Sequence, residues 1–196
     1  GKTTGGYGMK AKVGQYGFLK KQKINYIVKM AIFIAAGLIM YGVGLLVNKG
    51  NSKNICTVLA ILMALPLAKA FTELVVIFPF HDVELERYEK VCSKCKEQAK
   101  LMTGLVITSE KKIMNLDFLV ECEGNVIALA GKKEQDIAYI SDYLTKGVRN
   151  WGFDYHVKVI KEEKAFLHAI ETMKPVQVSE IEREHVIGYL ESLVVK

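Results

Sequence analysis

ICTVLAILMALPLAKAFTELVVIFPF, residues 55–80, carries no charge over its first fourteen positions and only Lys69 and Glu73 thereafter. At ~1.5 Å per residue a helix over this stretch outruns a hydrocarbon core of ~30 Å, so it reads as a membrane span. Small residues recur every fourth position, at Cys56, Ala60, Ala64, Ala68 and Thr72. Residues four apart are neighbours on a helix, and in lipid a second helix approaches closely where side chains are small. These five are therefore the expected packing strip. Their partner is an apolar segment at 26–47, across a short loop at 48–54, with Ala31, Ala35, Gly37, Gly42 and Gly44 as its small surface.

Outward from this pair the 196 residues divide into a basic tail at 1–25, a transmembrane helical hairpin at 26–80 and an α+β domain at 81–196. An apolar content of 51% and a mean hydropathy of +0.17 average a greasy first half with a polar second half. The net charge of +6 is uneven as well, since the tail holds Lys2, Lys10, Lys12, Lys20, Lys21 and Lys23 and no acid. That run reads as a topology signal and a partner for anionic lipid headgroups, at about 1 kcal/mol per lysine, and nucleic acid is not expected as a partner. The loop between the spans has only Lys49 and Lys53, whereas 81–100 hold Arg87, Lys90, Lys94, Lys96 and Lys100. Counting Lys and Arg places both termini in the cytoplasm and the chain in the cell membrane as a two-span protein. Residues 1–8 read as an extension ahead of a native start at Met9, and the Gly-Lys-Thr they contain lacks the rest of a phosphate-binding loop. The four cysteines, Cys56, Cys92, Cys95 and Cys122, form no extracellular disulfide framework.

Past residue 81 the periodicity changes. Tyr88, Val91, Cys92, Cys95, Ala99 and Met102 recur at three- and four-residue spacing, which predicts an amphipathic helix ended by Gly104. A short strand follows at 105–108. Strict alternation then predicts a strand over 115–123, with Leu116, Phe118, Val120 and Cys122 on one face and Asp117, Glu121 and Glu123 mostly on the other. Gly124-Asn125 is the expected two-residue hairpin turn, which sets Cys122 opposite Ile127 and Val120 opposite Leu129. A helix at 134–150, a strand at 153–160, a helix at 164–173 and a last helix capped by Ser179 and Glu182 complete the order α-β-β-β-α-β-α-α.

Three groups are candidates for chemistry. Lys69 and Glu73 lie one turn apart inside the second span, and intramembrane charges are functional candidates by default. Lys69 falls ~9 Å from the far edge of the hydrocarbon, so the expectation is that it snorkels and pairs with Glu73, with a small oligomeric channel or transporter component as the alternative. Pro66 frees the Leu62 carbonyl just there. Cys92 and Cys95 form a C-x-x-C, but zinc needs four ligands and no second pair exists; both are expected on the apolar stripe of their helix. The four histidines, His81, His156, His168 and His185, are scattered.

The order helix, three strands, helix, strand over 82–160 resembles the restriction-endonuclease-like core. Leu116-Asp117-Phe118-Leu119-Val120, followed by Gly124-Asn125-Val126-Ile127, is similar to the matching stretch of nuclease-related NERD-type domains. In that family an Asp on the second strand and an acid-x-Lys on the third hold a divalent metal. Asp117 matches the first position, but Val126-Ile127-Ala128-Leu129-Ala130-Gly131-Lys132 has no acid on the third strand. The resemblance thus implies a shared fold without the metal site, since the site loses half its protein ligands. The layout is also similar to small two-span membrane proteins of Gram-positive bacteria, a likeness that implies no activity. The resulting expectation is a membrane-anchored, non-catalytic binding or interaction module with no cofactor, an unknown protein partner and a homo-oligomer supported by the small strip. Its alternative is a metal-dependent nuclease or phosphodiesterase using Asp117, Glu121 and Glu123.

Overall fold

The computed structural model describes residues 12–47, 49 and 55–196. The expected start at Met9 and most of the inter-span loop lie outside them. Two units are present: Lys20–Pro79 forms one, and Phe80–Lys196 joins the segment ahead of Lys20 in the other.

In the first unit α1 runs over Phe18–Val47, starting eight residues before the expected 26 because the lysine-rich turn is itself helical. The second apolar stretch is α2, Ile55–Leu62, and α3, Ala64–Ile77. Met63 between them stays right-handed helical, with φ −64° and ψ −18°, and its N–H still donates to Leu59 O at 3.2 Å. The break falls where Pro66 has no N–H for the Leu62 carbonyl. Both stretches, Phe18–Val47 and Ile55–Ile77, are long and apolar enough to cross a membrane. They lie antiparallel: Lys23 Nζ donates to Phe78 O at 3.1 Å, and Ala60 and Met63 come within 3.8 Å of where a Cβ on Gly37 would stand.

Their seam is not the strip of every fourth residue. Cys56 and Ala60 are half-buried on it, but Ala64, Ala68 and Thr72 are exposed, and Met63, Leu67, Ala70, Leu74 and Ile77 take their places. Ala31 and Ala35 of α1 are exposed too. The reason is angular. Four residues advance ~400°, so a strict four-residue strip drifts ~40° per step, whereas alternating steps of three and four keep facing a partner.

The second unit carries α4 (Leu85–Lys94), β1 (Lys100–Thr108), β2 (Ile113–Cys122), β3 (Asn125–Ala130), α5 (Ile137–Arg149), β4 (His156–Ile160), α6 (Glu163–Thr172) and α7 (Glu180–Leu193). The sheet order is β1-β2-β3-β4. The first three strands are antiparallel and β4 joins β3 in parallel after the α5 crossover, which makes an α+β fold with a mixed sheet. Leu105, Leu116, Leu119 and Val126 face α5 and α7, together with Phe18. Phe118, Val120, Cys122 and Leu129 face α4 and α6. Asp136 caps α5 by accepting the Tyr139 N–H at 3.0 Å, and Ser179 with Glu182 forms the expected capping box of α7.

Three local expectations are corrected. The helix predicted to reach Gly104 ends at Lys94, because Cys95 turns extended, and Met102 and Gly104 belong to β1. The hairpin turn is Glu123-Gly124, with φ of 46° and 77°, not Gly124-Asn125. Cys122 therefore faces Asn125 and Val120 faces Ile127. Sliding the register by two residues leaves every side chain on its own face, so alternation cannot tell the two turns apart. The register also shifts between Leu116 and Phe118. This bulge sends Leu116 to the face opposite Phe118 and frees Asp117 from the strict alternation.

Gly124 is the hinge of that turn. A Cβ there would stand 2.7 Å from Val176 Cβ and 2.8 Å from its carbonyl oxygen, in a left-handed conformation. Gly124→Ala is expected to destabilise the unit by about 1–2 kcal/mol. Urea unfolding followed by fluorescence of Trp151, the single tryptophan, checks this.

Candidate functional site

The three carboxylates of the metal reading do not converge. Asp117, in the bulge of β2, accepts from Arg87 Nη2 of α4 at 2.9 Å, and Arg87 Nε reaches Glu163 of α6 at 3.0 Å. The guanidinium also lies over the Phe118 ring, 5.6 Å from its centroid. One arginine thus ties α4 and α6 to the sheet, with side-chain exposures of only 16% for Arg87 and 11% for Asp117.

Glu121 points to the other face. Its side chain is fully buried, accepts the Tyr155 hydroxyl at 2.9 Å and pairs with Arg183 Nε of α7 at 3.2 Å. Arg183 continues to the Gln98 carbonyl at 2.8 Å. Burial raises the Glu121 carboxyl above its ordinary value, against the opposing pull of Tyr155 and Arg183. The Tyr155 hydroxyl is raised by burial and by the Glu121 charge beside it. Glu123, in the turn, accepts from Lys96 at 2.9 Å and Gln98 at 2.9 Å, and these bonds lower its carboxyl below the ordinary value. Each carboxylate is therefore engaged with a cation of its own, on the two faces of the sheet and at the β2–β3 turn.

Cys92 and Cys95 part company as well. Cys92 is exposed, not on the apolar stripe, while Cys95 is half-buried against the same core face as Cys122. Burial pushes the Cys95 thiol up to about 11, with Cys92 and Cys122 adding to it. Among the described residues no group of three or more His, Cys, Asp or Glu is placed to hold a metal ion.

In the apolar unit Lys69 Nζ stands 3.9 Å from Glu73, with the lysine side chain 79% exposed and the glutamate 27%. Glu73 turns inward and hydrogen-bonds the Tyr26 hydroxyl of α1. The pair thus has one outward and one seam-facing member, and Tyr26 supplies the seam partner that neither the spacing nor the composition of α3 revealed.

One cavity was missed in the sequence. A cleft of about 620 Å³ lies between the β1–β2 turn, α5 and α7, with Tyr139, Tyr143 and Tyr189 in its walls. The signal available was Tyr139 and Tyr143 at helical i, i+4 spacing, but Tyr189 is far along the chain and only the fold adds it. No family model, curated protein or solved structure matches the chain.

Proposed function

We propose that this chain is a membrane-anchored binding module: α1 and the α2–α3 run cross the bilayer as a hairpin, and the globular unit works in the cytoplasm, recruiting a protein partner. The observation that carries the reading is the outer surface of the apolar unit. Ile32, Leu38, Ile39, Leu46, Ile61, Leu65 and Phe71 are each more than half exposed, on both helices and along their length. Apolar surface of that extent calls for lipid around it.

A second observation supports the topology. Residues 12–19 and residues after Pro79 belong to one globular unit, which favours an apolar stretch that leaves and returns to the same side. The lysines at the start of α1, Lys20, Lys21 and Lys23, favour that side being cytoplasmic and add lipid attraction of about 1 kcal/mol each. The pairing of Asp117 with Arg87, Glu121 with Arg183 and Glu123 with Lys96 favours a binding role over metal-assisted hydrolysis.

Membrane fractions washed with alkaline carbonate are expected to retain the protein in the pellet, and protease added outside intact cells is expected to leave its C-terminal half uncut. Release into the supernatant, or trimming from outside, would reject the reading.

A further inference from the structure

The two edges of the sheet are finished differently. On β1 the outer edge is bonded from elsewhere in the chain, at Thr103 and Val106. On β4 it is not. The parallel ladder pairs Asn125 with His156 and runs on to Leu129 with Ile160, and the His156 N–H donates inward to Gly124 O at 2.9 Å. Backbone groups of successive strand residues point to opposite sides. His156, Lys158 and Ile160 therefore bond to β3, while Val157 and Val159 turn their N–H and C=O groups away from it. Among the described residues nothing bonds these outward groups.

An open ladder specifies its occupant more tightly than a hollow does. Only another extended chain offers alternating donors and acceptors at the ~6.6 Å that separates Val157 from Val159 along the strand. The side chains narrow the choice further. Val157 and Val159 are half-buried against the core face of α5 and α7, so an added strand continues that face with apolar residues. His156 and Lys158 are exposed on the opposite face. Lys158 is the one charged residue within β4 and is in no ion pair among the described residues. Lys161 and Lys164, both exposed, follow it, with Asp154 and Glu162 lying just beyond the two ends of the strand.

This pattern argues against a second copy of the chain. Antiparallel pairing of Val157 with Val159 of another copy sets Lys158 directly opposite Lys158, and like charges at that spacing destabilise. A strand with acids two residues apart, facing His156 and Lys158, turns the same position into an attraction.

We propose that the outer edge of β4 binds an extended segment of a partner protein in which apolar and acidic residues alternate, added to the sheet as a further strand. This deepens the binding-module reading and rests on it only for the partner being recruited to a membrane. The test uses the full chain in lipid nanodiscs and a fluorescent peptide of about eight residues alternating valine and glutamate, with binding read by anisotropy. Two controls have equal length: one with lysine for every glutamate, and one with the valines and glutamates in separate blocks. Saturable binding of the alternating acidic peptide alone is expected. Val159→Pro, which removes one outward N–H and no inward bond, should weaken it by about 2- to 12-fold. Lys158→Glu should weaken it by about 2- to 30-fold and make the lysine peptide the better ligand. The Trp151 unfolding profile shows whether each variant is folded, and the charge reversal decides if the proline variant is not.

No binding of the alternating acidic peptide at about 1 mM, equal binding of either control, or an unchanged peptide order in Lys158→Glu would overturn the inference. A dimer of the free chain that Val159→Pro abolishes would assign the edge to a second copy and overturn it too. Loss of the protein from carbonate-washed membranes with peptide binding intact would remove the membrane reading and leave this one standing.

Discussion

Arg87→Ala is expected to lower the stability of the globular unit by about 3 kcal/mol, equivalent to roughly 10 °C in Tm. The loss has two parts. The variant strands Asp117, whose side chain is 11% exposed, without its cation, and it strips the guanidinium from the Phe118 ring. Asp117→Ala should cost less, because Arg87 keeps Glu163 at 3.0 Å, and replacing both by apolar residues of similar size should recover much of the loss. Thermal unfolding followed at Trp151 reads all three. The same experiment separates a structural Asp117 from a metal ligand. Millimolar Mg²⁺ or Mn²⁺ is expected to leave the Tm unchanged, whereas a bound metal would raise it by mass action.

Glu121→Ala carries the second large effect, about 3 kcal/mol. It removes the acceptor of the buried Tyr155 hydroxyl and the buried partner of Arg183, which is left with the Gln98 carbonyl and Glu180. The pH dependence distinguishes Glu121 from the other carboxylates. Because burial raises its carboxyl in the folded state, the folded chain holds a proton that the unfolded chain has already lost. Stability therefore falls as pH rises from the ordinary carboxylate value through the raised one. Glu123 has the opposite sign: lowered by Lys96 and Gln98, it contributes above the ordinary value and loses that contribution as pH falls through its folded one. Glu121→Gln should flatten the upper slope alone. A stability–pH curve that keeps that slope in the Gln variant would refute the assignment.

How far the chain is legible from its residues depends on the distance over which each feature is decided. The two apolar helices, the α-β-β-β-α-β-α-α order and the Ser179–Glu182 cap are written in neighbouring residues. What needed a partner elsewhere in the chain was not. The hairpin turn moved by one residue and the pairing by two: Val176, some fifty residues on, packs against Gly124, and alternation is blind to even shifts of register. The bulge at Asp117 turned that acid towards Arg87, thirty residues earlier, so a residue resembling a metal ligand serves as an anchor for α4. The helix seam followed alternating steps of three and four because a facing helix, not the helix's own spacing, selects which small residues are covered. Glu121 read as an outward strand position; only Tyr155 and Arg183 make it an inward one.

The outer edge of β1 is closed by both ends of the described chain. Gly14 O accepts the Thr103 N–H at 2.9 Å, and the Val195 N–H donates to Val106 O at 2.9 Å, beside a bridge between Val194 and Ile107. That stitching imposes a sequence of events at biosynthesis. Residues 12–19 are made before β1, so the Gly14 stitch can form as soon as Thr103 is available, while the other waits for Val195. Between the two events the Val106 end of that edge stands open, and a piece cut to begin at residue 80 would lack the Gly14 acceptor for Thr103 while keeping the Val195 bond to Val106.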